Sequence, residues 1–511
     1  MDNKKSSLFQ LYHSYQSIIL FILGFGIFLF TRMSKLVPTI PVAILISFVL
    51  ILRFIRTERA GKGIWLTLLG FFISMNIGLF GLFEVGSGNI SSLVFNLIRS
   101  TMLSLLYFFP FMTDRLIYPQ LKVKGAISTL TFPVISTALF FFLTIEGPFE
   151  GSYQMGKFLY GPAVLKQFIT LFGLPGSVFI TSWFASVVNY LWENNFNWKK
   201  IKNITIVFSS IIVIIFIYGS VKILSIPESK RVKMASIVLI PEDGKAKRLP
   251  PLVENKITHD LDKRISLFEN KTKIAAANGA KIVISHELAI LINNKDEDIL
   301  ISRFKDIAKE NNVYIAINYG HYAEQGKGAN TISLIDNKGK QLLSYDKKYL
   351  IGLGNVAETA VFKKGPEVIQ SVDTEYGRLS VCICREIDMA KYMVQAGRQN
   401  VDIMISPAYE WPKNLVISLG YMRGIEYGFS VVRASYNGIT YASDCTGKIL
   451  ATMPFDKDQS GIMYSEVPTK GVKTLYSQIG DVFAWINVYG MIGLIVLSII
   501  FSILNKRKKE L

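Results

Sequence analysis

The stretch Leu379-Ser-Val-Cys-Ile-Cys-Arg-Glu386 is typical of a buried β-strand that ends in polar residues. Apolar residues alternate along it, and Cys384 lies where the strand is expected to end. Because open α/β sheets place their functional sites at the carboxyl ends of strands, this position favours a reactive thiol. The simpler alternative is that the cysteine only fills the core, which is common for this residue type.

Two further chemical groups follow predicted strands in the same part of the chain. Glu287 comes shortly after the strand Lys281-Ile-Val-Ile-Ser285, and Lys347 follows a strand predicted over 341–345. Taken singly, the carboxylate is explained as a solvated strand end and the amine as a surface lysine. Taken together with Cys384, they supply the base, the cation and the nucleophile that acyl transfer through a thiol requires.

The block that contains these residues, 232–475, alternates between predicted strands and helices. Period-2 and short apolar runs predict strands, and apolar residues at intervals of three or four predict helices. A hairpin turn is expected at Asp336-Asn-Lys-Gly339. Strands alternating with helices, with hairpins inserted, predict an α/β layered sandwich. The strands are predicted over 235–240, 281–285, 313–318, 401–405, 429–435, 439–442 and 449–453, and the helices over 257–268, 296–310, 388–398 and 421–427.

The chain as a whole carries more apolar residues than a soluble protein of its size can bury. Half of its 511 residues are hydrophobic, and apolar stretches long enough to cross a bilayer recur on both sides of the α/β block. We therefore predict a polytopic α-helical membrane protein with seven spans in 1–224, the inserted domain at 232–475 and a last span at 482–504. The eight spans are predicted near 17–32, 37–54, 63–83, 91–112, 126–146, 169–191, 204–224 and 482–504.

The distribution of lysine and arginine predicts the orientation in the membrane. With the amino terminus in the cytoplasm, the inside segments hold 16 of these residues and the short outside loops hold four. The block 232–475 would then lie on the extracytoplasmic side. The same basic loops account for much of the net charge of +18, and no basic patch interleaved with aromatic residues indicates nucleic-acid binding. The first apolar run lacks a small-residue cleavage site and is expected to remain as an anchor.

Cysteine and histidine usage gives no indication of a disulfide framework or of a metal site. Cys382 and Cys384 lie two residues apart on one strand, where a bridge would be strained, and Cys445 is the third and last cysteine. The four histidines show no metal-ligand spacing. We therefore expect at least one free thiol and no metal or other cofactor.

Several segments together resemble a known family. Glu287, the run Tyr345-Asp-Lys-Lys-Tyr-Leu-Ile-Gly-Leu-Gly354 and the run Ile383-Cys-Arg-Glu386 resemble the Glu–Lys–Cys triad of the nitrilase, or carbon–nitrogen hydrolase, superfamily. Arg423-Gly-Ile-Glu426 and Arg433-Ala-Ser-Tyr-Asn-Gly-Ile-Thr440 resemble segments of bacterial apolipoprotein N-acyltransferases, whose order of spans and catalytic domain is also similar. The resemblance implies a nitrilase-like αββα sandwich between the membrane segments.

The resemblance also implies roles for the three residues. Cys384 would take an acyl chain from a phospholipid as a thioester, with Glu287 as base and Lys347 stabilising the oxyanion. The amino-terminal amine of a diacylglyceryl-cysteine lipoprotein would then receive the chain. Glu386 would support the site by holding Lys347 or the amine nucleophile in place. The protein would be a multi-pass protein of the bacterial plasma membrane.

The sequence departs from the family pattern near the site. Asn355 stands where the family has a glutamate, and Glu358, three residues on, is the expected substitute. Arg385 replaces a tyrosine after the cysteine. Tyr349 and Trp411 are expected on loops that contact the membrane or the substrate.

Two alternatives to acyl transfer remain open at this point. The first is a membrane-tethered carbon–nitrogen hydrolase, or amidase, in which water resolves the thioester on the same triad. The second is a non-catalytic binding module or scaffold.

Overall fold

The computed structural model describes residues 2–31, 34, 36–80, 90–144, 163–239, 261–323, 326–351, 358–410, 420–455 and 461–510. These residues divide into two compact units. The helical unit comprises Met1–Phe83, Gly88–Leu224 and Ile479–Leu511, and the α/β unit comprises Ser225–Gln478. The two units are described separately below.

The helical unit consists mainly of apolar helices. Short 3-10 segments follow α1 at Leu29–Thr31 and precede α5 at Lys122–Leu130. The helices are α1 (Asp2–Phe28), α2 (Ala43–Thr57), α3 (Ala60–Leu79), α4 (Ile90–Leu121), α5 (Thr131–Thr144), α6 (Ala163–Lys166), α7 (Ile169–Glu193), α8 (Trp198–Leu224) and, after the α/β unit, α15 (Val482–Glu510).

Five segments of the described residues are long and apolar enough to cross a membrane. They coincide with five of the eight predicted spans. The predicted spans at 17–32, 37–54 and 91–112 coincide with α1, α2 and α4; the apolar part of α1 and the whole of α2 are short, and α4 carries charged residues. The five segments are Ala60–Leu79, Gly125–Thr144, Ile169–Glu193, Trp198–Leu224 and Val482–Asn505.

Aromatic rings and one ion pair hold the middle of the helical unit together. Phe71 of α3 contacts Phe28 of α1 edge-on, with ring centroids 5.1 Å apart, and Phe111 of α4 at 5.4 Å. The guanidinium of Arg56 on α2 donates to both carboxylate oxygens of Asp114 on α4, at 2.8 and 2.9 Å. Both side chains are buried, and a charge in an apolar bundle is retained only where a partner of this kind neutralises it.

Helix α7 is kinked near its start, in a segment that contains Gly173, Pro175 and Gly176. Gly173 has φ 64° and ψ −169°, which is outside the helical region. This combination is accessible almost only to glycine, because a Cβ atom clashes with the backbone there. The break lies inside a segment that otherwise has the length of a membrane span.

The α/β unit contains a seven-stranded sheet and a six-stranded sheet. The first has the order β15-β1-β2-β4-β5-β6, with β3 also paired to β4; β1, β2 and β4 are parallel, and the β4–β5–β6 and β1–β15 pairs are antiparallel. Its strands are β1 (Arg231–Ile237), β2 (Ile282–Ser285), β3 (Ile290–Asn293), β4 (Tyr314–Tyr322), β5 (Ala329–Ile335), β6 (Gln341–Asp346) and β15 (Ile462–Pro468).

The second sheet has the order β14-β13-β11-β9-β8-β7, with β8, β9 and β11 parallel at its centre. A separate pair, β10 and β12, is also parallel. The strands are β7 (Ser371–Thr374), β8 (Gly377–Val381), β9 (Ile403–Ile405), β10 (Ala408–Tyr409), β11 (Ser430–Arg433), β12 (Ser435–Tyr436), β13 (Ile439–Ser443) and β14 (Ile449–Pro454). The helices of the unit are α9 (Leu261–Ala277), α10 (Glu297–Asn311), α11 (Glu358–Val361), α12 (Ala390–Arg398), α13 (Gly420–Tyr427) and α14 (Leu475–Ile479).

Helices α9 and α10 cover the first sheet with apolar side chains. Phe268 of α9 and Phe304 of α10 contact each other at 5.4 Å and join a buried cluster with Val283 and Ile315 of the sheet. This α/β architecture confirms the predicted sandwich. Four strands, β3, β7, β10 and β15, were not predicted. The last of them follows the final predicted strand, over 449–453, and returns to pair with β1. The start of the predicted helix over 257–268 lies outside the described residues.

The kink in α7 gives a testable prediction. Gly173→Ala places a Cβ atom in a backbone conformation that costs about 1–3 kcal/mol for other residues, so thermal unfolding in detergent is expected at a lower temperature. Gly493→Ala is the matched control, because no heavy atom lies within 4 Å of the Cβ it adds. Equal unfolding temperatures for the two variants would contradict the assignment of the kink to Gly173.

Candidate active site

Glu287 lies on a tight turn after β2. The turn requires Leu288 to adopt a left-handed conformation (φ 51°), and the amide of Leu288 donates to the side-chain oxygen of Asn318. The Glu287 carboxylate is buried and accepts hydrogen bonds from Lys347 Nζ at 2.7 Å and from the backbone amide of Tyr409 at 2.8 Å. The chain therefore turns the carboxylate into the interior, so that it is not a solvated strand end.

Lys347 follows β6 and is also buried, so that it is not a surface lysine. Its ammonium contacts Glu287 Oε1 at 2.7 Å and both oxygens of Glu358 at 2.8 and 3.0 Å. Burial alone lowers the pKa of a lysine, but the two carboxylates outweigh burial and raise the pKa of Lys347 well above its usual value. The ammonium consequently stays charged at any physiological pH.

Glu358 begins α11, and its carboxylate completes this cluster of charges. Besides Lys347, it accepts a hydrogen bond from the backbone amide of Ile351 at 2.8 Å. Burial raises the pKa of Glu358, and the nearby Glu287 raises it further against the opposing effect of Lys347. Asn355, at the position expected to be glutamate, lies outside the described residues.

Cys384 lies at the start of a 3-10 turn, Cys384–Asp388, three residues after β8 ends. The strand that was predicted to end at Cys384 therefore ends earlier, at Val381. Cys384 has φ 54°, an uncommon conformation for a residue with a side chain, and its amide donates to Pro407 O at 2.8 Å. Its thiol contacts the carbonyl oxygen of Tyr409 at 3.7 Å. The turn thus fixes both the backbone and the direction of the sulfur.

Electrostatics keep the Cys384 thiol protonated at rest. Burial and the negative charge of Glu287 raise the pKa of Cys384 well above its usual value, while the positive charges of Lys347 and Arg433 act in the opposite direction. A thiolate is the nucleophilic form of cysteine, so a base must remove the proton during a reaction. Cys382, Cys384 and Cys445 are all buried.

Tyr409, on the short strand β10, joins the thiol to the carboxylate through its backbone. Its carbonyl oxygen contacts Cys384 Sγ, and its amide donates to Glu287 Oε2. The structure therefore brings Glu287, Lys347 and Cys384 into one buried cluster. A thiol, a carboxylate and an ammonium so arranged can remove a proton, attack a carbonyl and stabilise the resulting oxyanion.

Glu386 supports the site through backbone contacts. It is fully buried, and its carboxylate accepts from the amides of Ile383 at 2.7 Å, Lys348 at 2.5 Å and Tyr349 at 3.2 Å. It thereby ties the segment after Lys347 to the segment before Cys384, and it does not contact the lysine ammonium itself. Burial raises the pKa of Glu386.

Of the two residues predicted on membrane- or substrate-contacting loops, the structure describes only Tyr349. Tyr349 is half-buried, and its ring contacts the ring of Tyr392 at 5.6 Å. Trp411 lies outside the described residues. The role of both at a membrane or substrate stays a prediction.

Two further contacts were not identified from the sequence as parts of the site. The buried guanidinium of Arg433 donates to the carbonyl oxygen of Cys384 at 3.0 Å and is neutralised by Glu410 at 2.6 Å. Asn330, the second residue of β5, donates to Glu287 Oε1 at 2.9 Å. The only sequence signal for Asn330 was that it is a polar residue inside a strand. Arg433 lies in the segment Arg433–Thr440, which resembles a segment of apolipoprotein N-acyltransferases.

The comparison with protein families identifies the class of the α/β unit. Residues 250–476 match the sequence model of the carbon-nitrogen hydrolase family. The chain therefore contains a carbon–nitrogen hydrolase domain, which confirms the predicted nitrilase-like class and indicates an enzyme.

The similarity to particular proteins is more specific. The chain is 24% identical over 282 residues to an apolipoprotein N-acyltransferase of Geobacter metallireducens, covering 49% of this chain and 53% of that protein. It is 23% identical over 341 residues to an apolipoprotein N-acyltransferase of Haemophilus influenzae, covering 61% and 63%. The match thus spans about half to two thirds of these relatives. The resemblance to apolipoprotein N-acyltransferases is confirmed as a similarity.

A solved structure is also similar in part. An amidase from Nesterenkonia sp. aligns with 16% identity and a TM-score of 0.40, covering 52% of this chain and 98% of the amidase.

The contact of Arg433 with Cys384 leads to a prediction. Arg433→Gln removes a positive charge next to the thiol and leaves Glu410 without its partner, so the pKa of Cys384 rises further and its alkylation by iodoacetamide slows. A rise of one pKa unit corresponds to about tenfold less thiolate at a given pH below the pKa. The rate is read for the Cys384 peptide by mass spectrometry. Arg378→Gln is the control; it removes a partly exposed arginine on β8 that pairs with Asp373, and it is expected to leave the rate unchanged. An unchanged rate in Arg433→Gln would contradict this coupling.

Proposed function

We propose that this protein transfers an acyl chain from a phospholipid, through a thioester on Cys384, to the amino-terminal amine of a diacylated lipoprotein. The observation that carries the proposal is the buried contact of Lys347 with both Glu287 and Glu358 in the same cluster as the Cys384 thiol. The similarity to proteins named apolipoprotein N-acyltransferase supports the choice of acceptor and bond. The apolar helices support a lipid donor.

The first half-reaction loads the cysteine. Glu287 takes the proton of the Cys384 thiol as the sulfur attacks an ester carbonyl of the phospholipid. The negative charge that develops on the carbonyl oxygen is stabilised by Lys347, an effect worth roughly 3 kcal/mol for one well-placed donor. The carbon–oxygen bond of the ester then breaks, Glu287 returns the proton to the departing oxygen, and a lysophospholipid leaves.

The second half-reaction transfers the acyl chain from Cys384 to the lipoprotein. The free α-amine of the lipoprotein attacks the thioester carbonyl, and Glu287 takes a proton from the nitrogen. The carbon–sulfur bond breaks, an amide forms, and the thiolate recovers the proton. Because two substrates react in turn with one cysteine, the mechanism predicts ping-pong kinetics.

The membrane is part of the proposal for a physical reason. Both substrates are anchored by acyl chains, and each buried methylene is worth about 0.8 kcal/mol, so neither leaves the bilayer to reach a soluble enzyme. The distribution of basic residues supports an extracytoplasmic catalytic domain in a bacterial plasma membrane. Tyr349 and Trp411 are the proposed contacts with the lipid interface or the acyl chains.

The experiment that tests the function supplies the purified protein with phospholipid vesicles and a synthetic diacylated lipopeptide. We expect an N-acylated lipopeptide and one lysophospholipid for each product, both measured by mass spectrometry. Cys384→Ala is expected to form neither. Release of free fatty acid, or of ammonia from an amide substrate, without N-acyl product would show a hydrolase instead, and an unaffected Cys384→Ala variant would show that the domain does not act through this thiol.

The role of Glu287 as base leads to a prediction in which two measurements move in opposite directions. Glu287→Gln removes a negative charge that raises the pKa of Cys384, so the pH midpoint of Cys384 alkylation is expected to fall. The same variant lacks the proton acceptor, so formation of N-acyl product is expected to fall by about 100-fold or more.

The control for this prediction is Glu375→Gln, which removes an exposed carboxylate on the hairpin between β7 and β8. It is expected to leave the alkylation midpoint and the yield of N-acyl product unchanged. Retention of full activity by Glu287→Gln, or an alkylation midpoint that does not move, would exclude the proposed role.

A further inference from the structure

Two buried asparagines lie directly behind the charged cluster. Asn318 is on β4 and Asn330 is on β5, and neither side chain is exposed to solvent. A buried amide group is unfavourable unless its donors and acceptors find partners. Both amides have such partners, and these partners lead to the active site.

The hydrogen bonds form a closed chain with fixed directions. The amide of Leu288 donates to Asn318 Oδ1, and Asn318 Nδ2 donates to Asn330 Oδ1 at 3.0 Å. Asn330 Nδ2 then donates to Glu287 Oε1 at 2.9 Å. The chain therefore leaves the backbone next to Glu287 and returns to the carboxylate of the same residue.

The second donor contacts of both amides set their orientation. Asn318 Nδ2 also donates to the carbonyl oxygen of Thr331 at 3.0 Å, so its oxygen must face Leu288. With Asn330 Oδ1 occupied by Asn318, the nitrogen of Asn330 must face the carboxylates, and it lies 3.5 Å from Glu358 Oε1. In addition, the backbone amide of Lys347 donates to Asn330 O at 2.8 Å.

We propose that Asn330, oriented by Asn318, is a positioning residue that holds the carboxylates of Glu287 and Glu358 against the Lys347 ammonium and keeps Glu287 able to accept the thiol proton. The inference rests on the proposed function for the role of that proton. Asn330 contacts the backbone of Lys347 and the side chains of both carboxylates, so it links all three charged residues.

The neutrality of the amide is essential to this role. The cluster contains two carboxylates and one ammonium, and an ionised third carboxylate would add repulsion that the single ammonium does not offset. A hydrogen-bond donor without charge satisfies carboxylate oxygens and leaves the charge balance unchanged. Asparagine meets both requirements, whereas aspartate, which has the same shape, does so only while it is protonated.

The titratable and charged groups around Asn330 come from every element packed against it. Glu287 and Glu358 contact its amide nitrogen, Lys347 contacts both, and Asp346 accepts from the neighbouring Thr331 at 2.7 Å. The remaining groups of the site interact with Glu287, Lys347 or Cys384. They are His286, Cys384, Glu386, Glu410 and Arg433. Burial lowers the pKa of His286 to about 3, so it does not titrate in the range of the test.

Asn330→Asp tests the proposal through the pH dependence of Cys384 alkylation in the full-length protein. The measurement is the ratio of variant to wild-type alkylation rate of the Cys384 peptide between about pH 6 and 9, a range in which buried carboxyl groups can titrate. While the new carboxyl group is protonated it can donate as the amide does, and the ratio is expected to be near one. Once it ionises, the ratio is expected to fall by about tenfold or more, because the added negative charge opposes the thiolate.

Two control variants on the same hairpin separate charge and stability from positioning. Asn337→Asp makes the same substitution at a partly exposed position in the turn between β5 and β6, where the Asn337 amide donates to Asn312 Oδ1 outside the site. Ser333→Ala removes a buried hydroxyl of β5 that contacts Tyr319 and Gln341, and it lowers thermal stability without touching the cluster. Both are expected to keep a ratio near one at every pH.

Asn330→Ser serves as a second variant should the aspartate variant not fold. It loses the reach to both carboxylates and is expected to alkylate at least about tenfold more slowly at every pH, because carboxylates that lack this donor oppose the thiolate more strongly. A ratio near one for Asn330→Asp and Asn330→Ser at every pH would overturn the proposal. So would a loss of rate in Ser333→Ala equal to that in Asn330→Ser, because the effect would then follow from stability alone.

This test is independent of the proposed acyl transfer, because it measures only the thiol. A wild-type protein that forms no N-acyl product but shows the expected Asn330→Asp profile would contradict the function and leave the positioning role of Asn330 intact. The reverse result would leave the function intact and remove Asn330 from its machinery.

Discussion

The structure of the α/β unit depends on one constraint, the burial of the Lys347 ammonium between the carboxylates of Glu287 and Glu358. An isolated charge in a protein interior costs several kcal/mol, and removing one partner of a buried pair typically costs about 3–5 kcal/mol. The three side chains must therefore reach the same point although they come from three different parts of the chain. Glu287 reaches this point from the turn after β2, Lys347 from the end of β6 and Glu358 from the start of α11.

The backbone around Cys384 satisfies a second requirement, which is access of the thiol to this cluster. The left-handed conformation of Cys384 turns its sulfur away from the path of β8, and the bonds to Pro407 and Arg433 hold that conformation. Burial keeps the pKa of the thiol high, so the sulfur stays protonated until a base acts. A nucleophile that becomes a thiolate only when a base acts is protected from side reactions until a substrate is bound.

Much of this arrangement follows from local sequence. Glu287 and Lys347 each come directly after a run with strand periodicity, and Cys384 ends such a run, so their convergence at the edge of a sheet was predictable. The left-handed turn at Cys384 was not, because nothing in Ile383-Cys-Arg-Glu386 specifies it apart from its tertiary partners. Asn318 and Asn330 lie within strands, where the periodicity of the sequence predicts only which side chains are buried. Their proposed role depends on hydrogen bonds to other strands and loops, which the periodicity does not predict. Strand β15 was not predicted, because its partner β1 lies at the opposite end of the unit's sequence and no local pattern indicates this pairing.

The central claim is that the Cys384 sulfur carries the acyl chain as a covalent intermediate. The most direct measurement is peptide mass spectrometry of the purified protein after incubation with phospholipid and no acceptor. The account predicts an acyl group on Cys384 that hydroxylamine removes, as expected for a thioester, and that disappears when a diacylated lipopeptide is added. Absence of any adduct on Cys384, or an adduct on Cys382 or Cys445 instead, would contradict it.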